Sequence, residues 1–395
     1  MEFYFSQTKQ KPMKLIFFTL LFLPSLLIAQ TIDTLIIHSE AFDQERSVYV
    51  HKHDLSKYLS DKVEVPVIYV MDGQHEWFTN PVLNNLKYLS TTHEIPFALV
   101  VVIPHTDRYT ECGIDSLDGP ALPLHTFITE EVEAALAPYY PGSYRMIIGH
   151  SFTASFSLYS YLRSDGFYSA VLAHSPLDSF EKLAEALESN PTVAPSAIAI
   201  SIGGYGSDKD GYHRAVYDAT KAKHPAFFES IYTYEANEST HTAVPIVANP
   251  NFLSKFFYTF SRRYSDIAVV DLEYKLAEAP GSVEEEMKKI EEASKVGSAY
   301  YPAEIDEING LASRYWNSDY EDHTIAVYEE GIKHHPNYYD FHVQLYVHYA
   351  ERNPEKAKMH LKKAHELAEA FEQDEPYYEE LLDEIKAEIQ DNGWE

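Results

Sequence analysis

Apolar residues fall into eight short runs along the first two thirds of the chain. The runs cover residues 34–38, 47–50, 65–71, 97–103, 145–148, 170–173, 197–202 and 230–234. Several runs are continuous and rich in β-branched residues, above all VPVIYVM and FALVVVIP. Such runs are typical of strands that are buried on both faces of a parallel sheet. Each run is therefore predicted to form a strand.

Amphipathic stretches with helical spacing lie between these runs. They cover residues 127–137, 151–163, 179–187 and 212–223. Strands that alternate with helices predict a doubly wound, mostly parallel α/β domain, which we assign to residues 30–265. The first two runs are separated by the short polar stretch SEAFDQER, which predicts an antiparallel hairpin at the edge of the sheet.

The strand signal stops after about residue 265. The segment VEEEMKKIEEASK is charged and helical, and the pattern up to Glu395 is that of helices joined by short turns. Residues 266–395 are therefore predicted to form an all-α domain. One window of about 34 residues has the spacing of a tetratricopeptide repeat. Its matching positions are Ile308, Leu311, Ala312, Tyr315, Thr324, Tyr328, Gly331 and Pro336. A second, imperfect copy contains Leu345, Ala357, Leu361 and Ala364.

Two such repeats are marginal by themselves, because each repeat needs neighbours to bury its apolar face. The helices are therefore expected to stack on the α/β domain or on a protein partner. A generic helical bundle is the alternative to a tetratricopeptide-like domain.

The N-terminus predicts export from the cytoplasm. Met13 and Lys14 precede the apolar run LIFFTLLFLPSLLIA, which ends at Ala29. One positive charge, a short apolar core and a small residue at its end are typical of a secretory signal peptide. We assign residues 1–29 to this signal, with Met13 as the expected start, and expect a periplasmic or secreted protein without a stable membrane span after cleavage. An uncleaved anchor is the alternative, although the run is shorter than the about 20 residues that a span requires.

Charge and cysteine content exclude several classes of protein. The chain has 395 residues, with 31 Lys and Arg against 61 Asp and Glu, so its formal net charge is −30. A surface of this sign disfavours nucleic acids and anionic membranes as partners. Cys112 is the lone cysteine, which excludes an internal disulfide framework and Cys-rich zinc motifs. It is expected to be a buried, small apolar residue.

The segment IIGHSFT carries the clearest sign of chemistry. An apolar strand runs into Gly149, His150 and Ser151, and a helical pattern follows. This is the context of a nucleophile elbow, a strained turn that lifts a serine hydroxyl above the carboxyl edge of a sheet. Thr153 stands where a second glycine is usual, so the match is incomplete. Ser151 is the candidate nucleophile.

A serine hydroxyl needs a base that takes its proton and an acid that orients the base. In this fold the order along the chain is serine, acid, histidine. His241 lies in the polar loop NESTHTAVP after the last predicted strand, where the base is expected. Asp208 and Asp210 lie in GGYGSDKDG, just past the strand AIAISI, where the acid is expected. We prefer Asp208 because it is nearer to the strand, and keep Asp210 as the alternative.

Acyl transfer also requires hydrogen-bond donors for the developing oxyanion. The backbone N–H of Phe152 is one candidate, because Phe152 directly follows the nucleophile. The other donor is expected in the loop after the third predicted strand, MDGQ. The backbone N–H of Gln74 is the candidate there.

Four segments together resemble a known family. They are VPVIYVMDGQHEWF, VVVIPHTDRYTE, FITEEVEAALAPYYPGSYRMIIGHSFTASFSLY and FYSAVLAHSP. Over residues 31–262 the chain resembles the esterase family of α/β-hydrolases that includes esterase D, feruloyl esterases and enterochelin-type siderophore esterases. The resemblance implies hydrolysis of a carboxylic ester without a metal or organic cofactor. It implies that Ser151 is the nucleophile, that His241 is the base and that Gln74 and Phe152 provide the oxyanion donors.

The resemblance does not assign the acid, because some members of this family use only serine and histidine. HTDRYTE resembles the Asn-Thr-Asp-Arg segment of the family, with His105 in the first place. Asp107 and Arg108 are expected either to shape the mouth of the site or to form a structural ion pair.

The sequence thus predicts an exported serine esterase that acts on a small-molecule ester through an acyl-enzyme intermediate. A serine peptidase is one alternative, since the same fold and residue order serve peptide bonds. Thioester or acyl-transfer chemistry is another. A third is a binding module, in which the helical repeats hold a protein partner and the α/β domain is a scaffold. The sequence does not identify the ester.

Overall fold

The computed structural model describes residues 30–53, 63–370 and 376–394. The predicted signal peptide at residues 1–29 lies outside these ranges. Among the described residues, no helix has both the length and the hydrophobicity that crossing a membrane requires.

Eight strands form one sheet in the order β1-β2-β4-β3-β5-β6-β7-β8. The strands are β1 Gln30–Ser39, β2 Gln44–His53, β3 Val65–Val70, β4 Leu99–Val102, β5 Pro141–His150, β6 Ala170–His174, β7 Ile198–Ile202 and β8 Tyr232–Glu235. Strand β1 pairs with β2 and β2 with β4 in antiparallel fashion, and all the other neighbours are parallel. Every predicted run is a strand, and the predicted edge hairpin is confirmed.

Helices cover both faces of the sheet, as a doubly wound fold requires. They are α1 Glu76–Thr91, α2 Arg108–Cys112, α3 Pro123–Thr126, α4 Glu133–Ala135, α5 Phe152–Arg163, α6 Phe180–Ser189, α7 Gly211–Lys223, α8 Pro225–Ser230, α9 Val244–Phe256 and α10 Tyr258–Ser261. A π-helical segment, Phe127–Val132, joins α3 to α4. The predicted α/β class is therefore confirmed.

The central strands are buried on both faces. Residues of β3 alternate between two apolar clusters, with Val67 and Tyr69 in one and Ile68 and Val70 in the other. Cys112 is fully buried, as expected. Because β3 and β5 to β8 are parallel, their carboxyl ends meet at one edge of the sheet. The loops after these strands carry the candidate site residues.

The second region is helical. Its helices are α11 Val283–Ala293, α12 Ile305–Asn317, α13 Glu321–His334, α14 Tyr339–Tyr349, α15 Pro354–Glu369 and α16 Pro376–Asp391, and a two-residue hairpin of β9 Lys295–Val296 and β10 Ala299–Tyr300 lies among them. Ser282 and Glu285 form a capping box at the start of α11. The helices share a buried cluster that includes Leu311, Tyr315 and Leu361. A helical C-terminal region is thus confirmed, while its assignment as tetratricopeptide repeats stays a prediction.

The helical region packs against the α/β domain at the amino end of the sheet. Ser143, near the start of β5, contacts Ser298 between β9 and β10. The ring of Tyr301 packs edge-on against Phe260, with 5.2 Å between the centroids. Ser151 follows the opposite end of β5, roughly 30 Å away along the strand. The helices are therefore joined to the domain far from the predicted nucleophile.

Candidate active site

Ser151 lies at a sharp turn between β5 and α5. Its φ and ψ angles are 60° and −117°, a conformation that non-glycine residues rarely adopt. A Cβ atom on Gly149 would lie 2.2 Å from the carbonyl oxygen of Thr153, so only glycine fits there. This geometry is that of a nucleophile elbow, and it raises the hydroxyl above the carboxyl edge of the sheet.

Thr153 occupies the place of the usual second glycine and is fully buried. Its hydroxyl accepts a hydrogen bond from the N–H of His150 at 2.9 Å and lies 2.7 Å from Asp72 Oδ2, to which it donates. The threonine thus ties the elbow to the end of β3. The departure from the glycine pattern is accommodated because the buried hydroxyl is hydrogen-bonded.

Asp72 is held in turn by Arg108. The guanidinium donates from Nε to Asp72 Oδ1 at 2.6 Å and from Nη2 to Oδ2 at 3.0 Å, and Nη2 also donates to the carbonyl of His150 at 2.8 Å. Asp107 caps helix α2 by accepting from the N–H of Thr110. Arg108 therefore has the second of the two expected roles: it forms an ion pair, with Asp72, that supports the elbow.

Asp210, and not Asp208, lies against the candidate base. Oδ1 of Asp210 is 2.7 Å from Nδ1 of His241, and Oδ2 accepts from the hydroxyl of Ser175 at 2.6 Å and from the N–H of Gly203 at 2.9 Å. Asp208 is exposed on the surface. The preference for Asp208 is therefore corrected in favour of Asp210.

Loop geometry explains this correction. Gly206 has a φ of 97°, and the N–H of Asp210 donates to the carbonyl of Gly204. The chain therefore turns back on itself, and the residue farther along the sequence returns to the end of β7. The number of residues from the strand was a poor guide to which aspartate lies in the site, because the turn reverses the direction of the chain.

Asp210 is ionised despite being buried. Burial would raise the pKa of its carboxyl, but hydrogen bonds from His213, His241 and Ser175 outweigh burial and hold the pKa well below its usual range. The carboxylate can therefore orient a histidine and balance the charge of an imidazolium.

A second histidine, His213, lies at the same carboxylate. Its Nδ1 is 3.2 Å from Asp210 Oδ1, and its Nε2 is 3.3 Å from the hydroxyl oxygen of Ser151. The ring stacks on that of His241, with centroids 4.0 Å apart. Sequence reasoning missed His213, although its spacing of three residues from Asp210 at the start of a helix was a usable signal.

The same three side chains could hold a metal ion. Ligand atoms of Asp210, His213 and His241 lie within 4.8 Å of one another, and they form the one such group in the part of the chain that the structure describes. Two imidazoles and a carboxylate are ligands that suit zinc. The nitrogens that face Asp210 already make hydrogen bonds to it.

His150, between Gly149 and Ser151, is a further residue that the sequence did not single out. Its ring is buried, and Nε2 is 2.9 Å from the carbonyl oxygen of His241. Burial and the neighbouring His241 lower the pKa of His150 well below its usual value, so this ring is neutral. It can thus donate to that carbonyl and hold the loop that carries His241.

Comparison with known proteins agrees with this geometry. Residues 39–227, slightly less than half of the chain, match the family model described as "Putative esterase". The match assigns residues 39–227 of the α/β domain to this esterase family and supports a carboxylic ester hydrolase. No curated protein matches the chain.

Two solved structures share the fold of the esterase. The IroE-like serine hydrolase from Shewanella oneidensis is 15% identical with a TM-score of 0.55, and the match covers 76% of this chain and 99% of that one. An uncharacterised protein from Capnocytophaga ochracea is 13% identical with a TM-score of 0.55, and the match covers 90% of this chain and all of that one. Both matches cover more of the chain than lies before residue 266, so both extend into the helical region.

The two candidate oxyanion donors of the esterase lie beside the elbow and at the end of β3. Within the described residues, neither the N–H of Gln74 nor that of Phe152 donates to a backbone acceptor. The Gln74 side chain accepts from the N–H of His105 at 2.9 Å, which ties this loop to the end of β4. Both N–H groups therefore remain available to a substrate oxygen.

Exposed aromatic side chains surround the esterase site. Trp77 packs edge-on against His150 with 5.4 Å between centroids, and Tyr109 packs edge-on against Phe152 at 5.1 Å. Tyr212 lies beside His213 and is 72% exposed. Each of these rings contacts a residue that adjoins or touches Ser151, so the approach to the nucleophile is lined by aromatic surface.

Proposed function

We propose that this protein is an exported serine esterase that hydrolyses a small-molecule carboxylic ester through an acyl-enzyme intermediate. Ser151 is the nucleophile, and His241 with Asp210 forms the base and acid of a triad. The observation that carries the proposal is a strained serine at the elbow beside two imidazoles that share a buried, ionised aspartate. The Ser151 hydroxyl lies 3.3 Å from His213, whose ring stacks on that of His241, and both histidines contact Asp210. Activation of a serine requires these groups in this order.

In the proposed reaction, the serine oxygen attacks the ester carbonyl while an imidazole takes its proton. The N–H groups of Gln74 and Phe152 stabilise the oxyanion, and collapse of the intermediate expels the alcohol, which receives the proton. Water then repeats the sequence on the acyl-enzyme and releases the acid. No step requires a metal or an organic cofactor, so activity is expected to persist in a chelator.

The exposed aromatic side chains around the site support a substrate ester with an aromatic or otherwise apolar group. Trp77, Tyr109 and Tyr212 are exposed aromatic side chains that contact residues next to or touching Ser151, and such rings favour apolar and aromatic partners. The overall net charge of −30 disfavours strongly anionic substrates at long range. A feruloyl ester is therefore a useful probe beside simple aliphatic esters.

The test is hydrolysis of short-, medium- and long-chain nitrophenyl esters and of a feruloyl ester by the purified protein and its Ser151→Ala variant. We expect turnover that falls by at least about a thousandfold in the variant. Labelling by a fluorophosphonate should occur on Ser151 in a mass spectrum of the wild type. Full activity in Ser151→Ala would overturn the mechanism, and cleavage of peptide amides in preference to esters would favour a serine peptidase.

Export is tested separately. Expression of the whole chain in a bacterial host, followed by determination of the N-terminus of the product, should give a mature protein that begins at Gln30 in the periplasm or medium. A product that retains the apolar run and sediments with membranes would instead support the uncleaved anchor.

A further inference from the structure

The hydroxyl of Ser151 contacts His213 rather than the histidine that the sequence selects. We propose that His213 is a second catalytic base, so that the site holds two imidazoles that can each serve Ser151 on one aspartate. This inference rests on the proposed function, because it concerns how the same serine is activated. It adds a proton acceptor that neither the family match nor the chain order assigns.

The contacts of His213 form a complete relay. Its Nε2 is 3.3 Å from Ser151 Oγ and its Nδ1 is 3.2 Å from Asp210 Oδ1. A neutral imidazole that donates from Nδ1 to the carboxylate presents a lone pair at Nε2. That lone pair faces the serine hydroxyl, which can donate to it. The base therefore has both the tautomer and the position that proton transfer needs.

His241 contacts the same oxygen of Asp210, at 2.7 Å. The two rings are stacked with an interplanar angle of 23°, and each has its Nδ1 at the carboxylate. The two imidazoles thus have similar environments on one acid. Among the described residues, the side-chain hydrogen bond of Ser151 goes to His213. The Ser151 hydroxyl is therefore held by His213, which the order of residues along the chain does not indicate as the base.

A rigid element positions His213. It lies in the first turn of α7, whose N-cap residue is Asp210, so acid and base share one helix end. The next residue, Arg214, is buried and donates to Glu235 at 2.6 Å and to Asp218 at 2.9 Å. The pair with Glu235 fixes the helix against β8, and the pair with Asp218 lies within the helix. His213 is consequently placed by secondary structure, whereas His241 is carried by a loop.

In each half-reaction, one proton moves to His213 and back again. As the Ser151 oxygen forms its bond to the ester carbon, its proton moves to Nε2 of His213 and the carbonyl electron pair moves to oxygen. Collapse of the tetrahedral intermediate breaks the bond to the alcohol oxygen, which takes the proton back from Nε2. Asp210 remains ionised and balances the single imidazolium. Water then enters by the same exchange, and no other reactant is needed.

The decisive variant is His213→Asn. Asparagine can still donate to Asp210 from the position of Nδ1, but it has no base at the position of Nε2. We expect kcat to fall by about ten- to a hundredfold with little change in KM, since the remaining activity passes through His241. His224→Asn is the matched control, because His224 ends the same helix and contacts the carboxylate of Glu188 away from the site. The control should keep the wild-type kcat.

Chemical rescue separates a base from a support. In His213→Ala, added imidazole should restore part of the lost kcat, whereas it should restore nothing in Ser151→Ala. The double variant His213→Asn/His241→Asn should fall to the level of Ser151→Ala. A kcat within twofold of wild type in His213→Asn overturns the inference, even if Ser151→Ala is inactive. If Ser151→Ala is itself fully active, the proposed function fails instead.

Discussion

The esterase domain and the helical region each bury an aspartate, and the two carboxyls behave in opposite ways. Asp210 is 2% exposed and Asp340 is 4% exposed. Four groups contact Asp210, and its pKa lies well below the usual range. Asp340 accepts one side-chain hydrogen bond, from Gln344 at 3.3 Å, and burial raises its pKa to about 6. Donors, and not burial, keep a buried acid charged.

Histidine pairs give the same contrast. His213 and His241 stack on each other at one carboxylate, and His213 also contacts Ser151, so this arrangement can move a proton. His342 and His360 in the helical region also meet, with 3.0 Å between their Nδ1 atoms. Burial and the neighbouring His360 lower the pKa of His342 to about 4, so that ring is a neutral part of the core. A pair of titratable residues can form a catalytic site where the ends of strands also supply hydrogen-bond donors and a nucleophile.

Removing the charge of Asp210 should have the largest effect on catalysis. Asp210→Asn should lower kcat by about a thousand- to ten-thousandfold, because an amide cannot stabilise the imidazolium and favours the wrong tautomer. Steady-state hydrolysis of a nitrophenyl ester measures the effect. Asp208→Asn and Asp340→Asn are the controls and should change kcat by less than about twofold. An active Asp210→Asn would mean that serine and histidine suffice.

Most of the fold could be predicted from the sequence, for a clear physical reason. Strands buried on both faces must be continuously apolar, and helices between them must be amphipathic, so both leave strong local patterns. The elbow around Ser151 was equally visible, because its sharp turn demands Gly149. These features depend on residues that are adjacent in the chain.

The rest of the site depends on contacts that the chain makes at a distance. The turn at Gly206 brings Asp210 back to β7, and no local pattern states how far a loop reverses. The role of His213 requires the position of Ser151 on another element. Thr153 looked like a defect in the elbow because its partner, Asp72, lies at the end of a different strand.

Thr153 offers the next largest effect within the esterase domain. Thr153→Val removes the hydroxyl that links the N–H of His150 to Asp72, and it leaves both groups short of a partner in a fully buried place. The free energy of unfolding should fall by about 1–3 kcal/mol. We expect kcat to fall by about tenfold as the elbow shifts. Thr153→Ser keeps the hydroxyl and should retain most of both quantities, as measured by urea unfolding and ester hydrolysis.

The buried carboxyl of Asp340 should make the stability of the protein depend on pH. Its pKa in the native state is about 6, above the usual 3.8, so the native state holds this proton more tightly than the unfolded chain does. The stability from this group is therefore fully present below about pH 4 and is lost as the pH rises through 6. Asp340→Asn should remove that loss and raise the free energy of unfolding at pH 8 by roughly 3 kcal/mol.

Urea unfolding of Asp340→Asn and wild type between pH 4 and 8 measures this difference. The gap between the two proteins should widen as the pH rises and then become constant above about pH 7. A gap that does not depend on pH would show that the carboxyl of Asp340 titrates normally. Ester hydrolysis at pH 8 should be the same in both proteins, since the helices join the domain at the amino end of the sheet.

The smallest expected effect tests whether the helical region supports structure alone. Tyr315 donates to Oε2 of the buried Glu286 at 2.8 Å, and this bond joins α12 to α11. Tyr315→Phe should lower the free energy of unfolding by about 1 kcal/mol and leave kcat unchanged, whereas Tyr274→Phe should change neither, because Tyr274 is 70% exposed. A kcat that fell with Tyr315→Phe would mean that the helices influence the carboxyl edge. The separation between a charged, catalytic end and a structural helical end would then no longer hold.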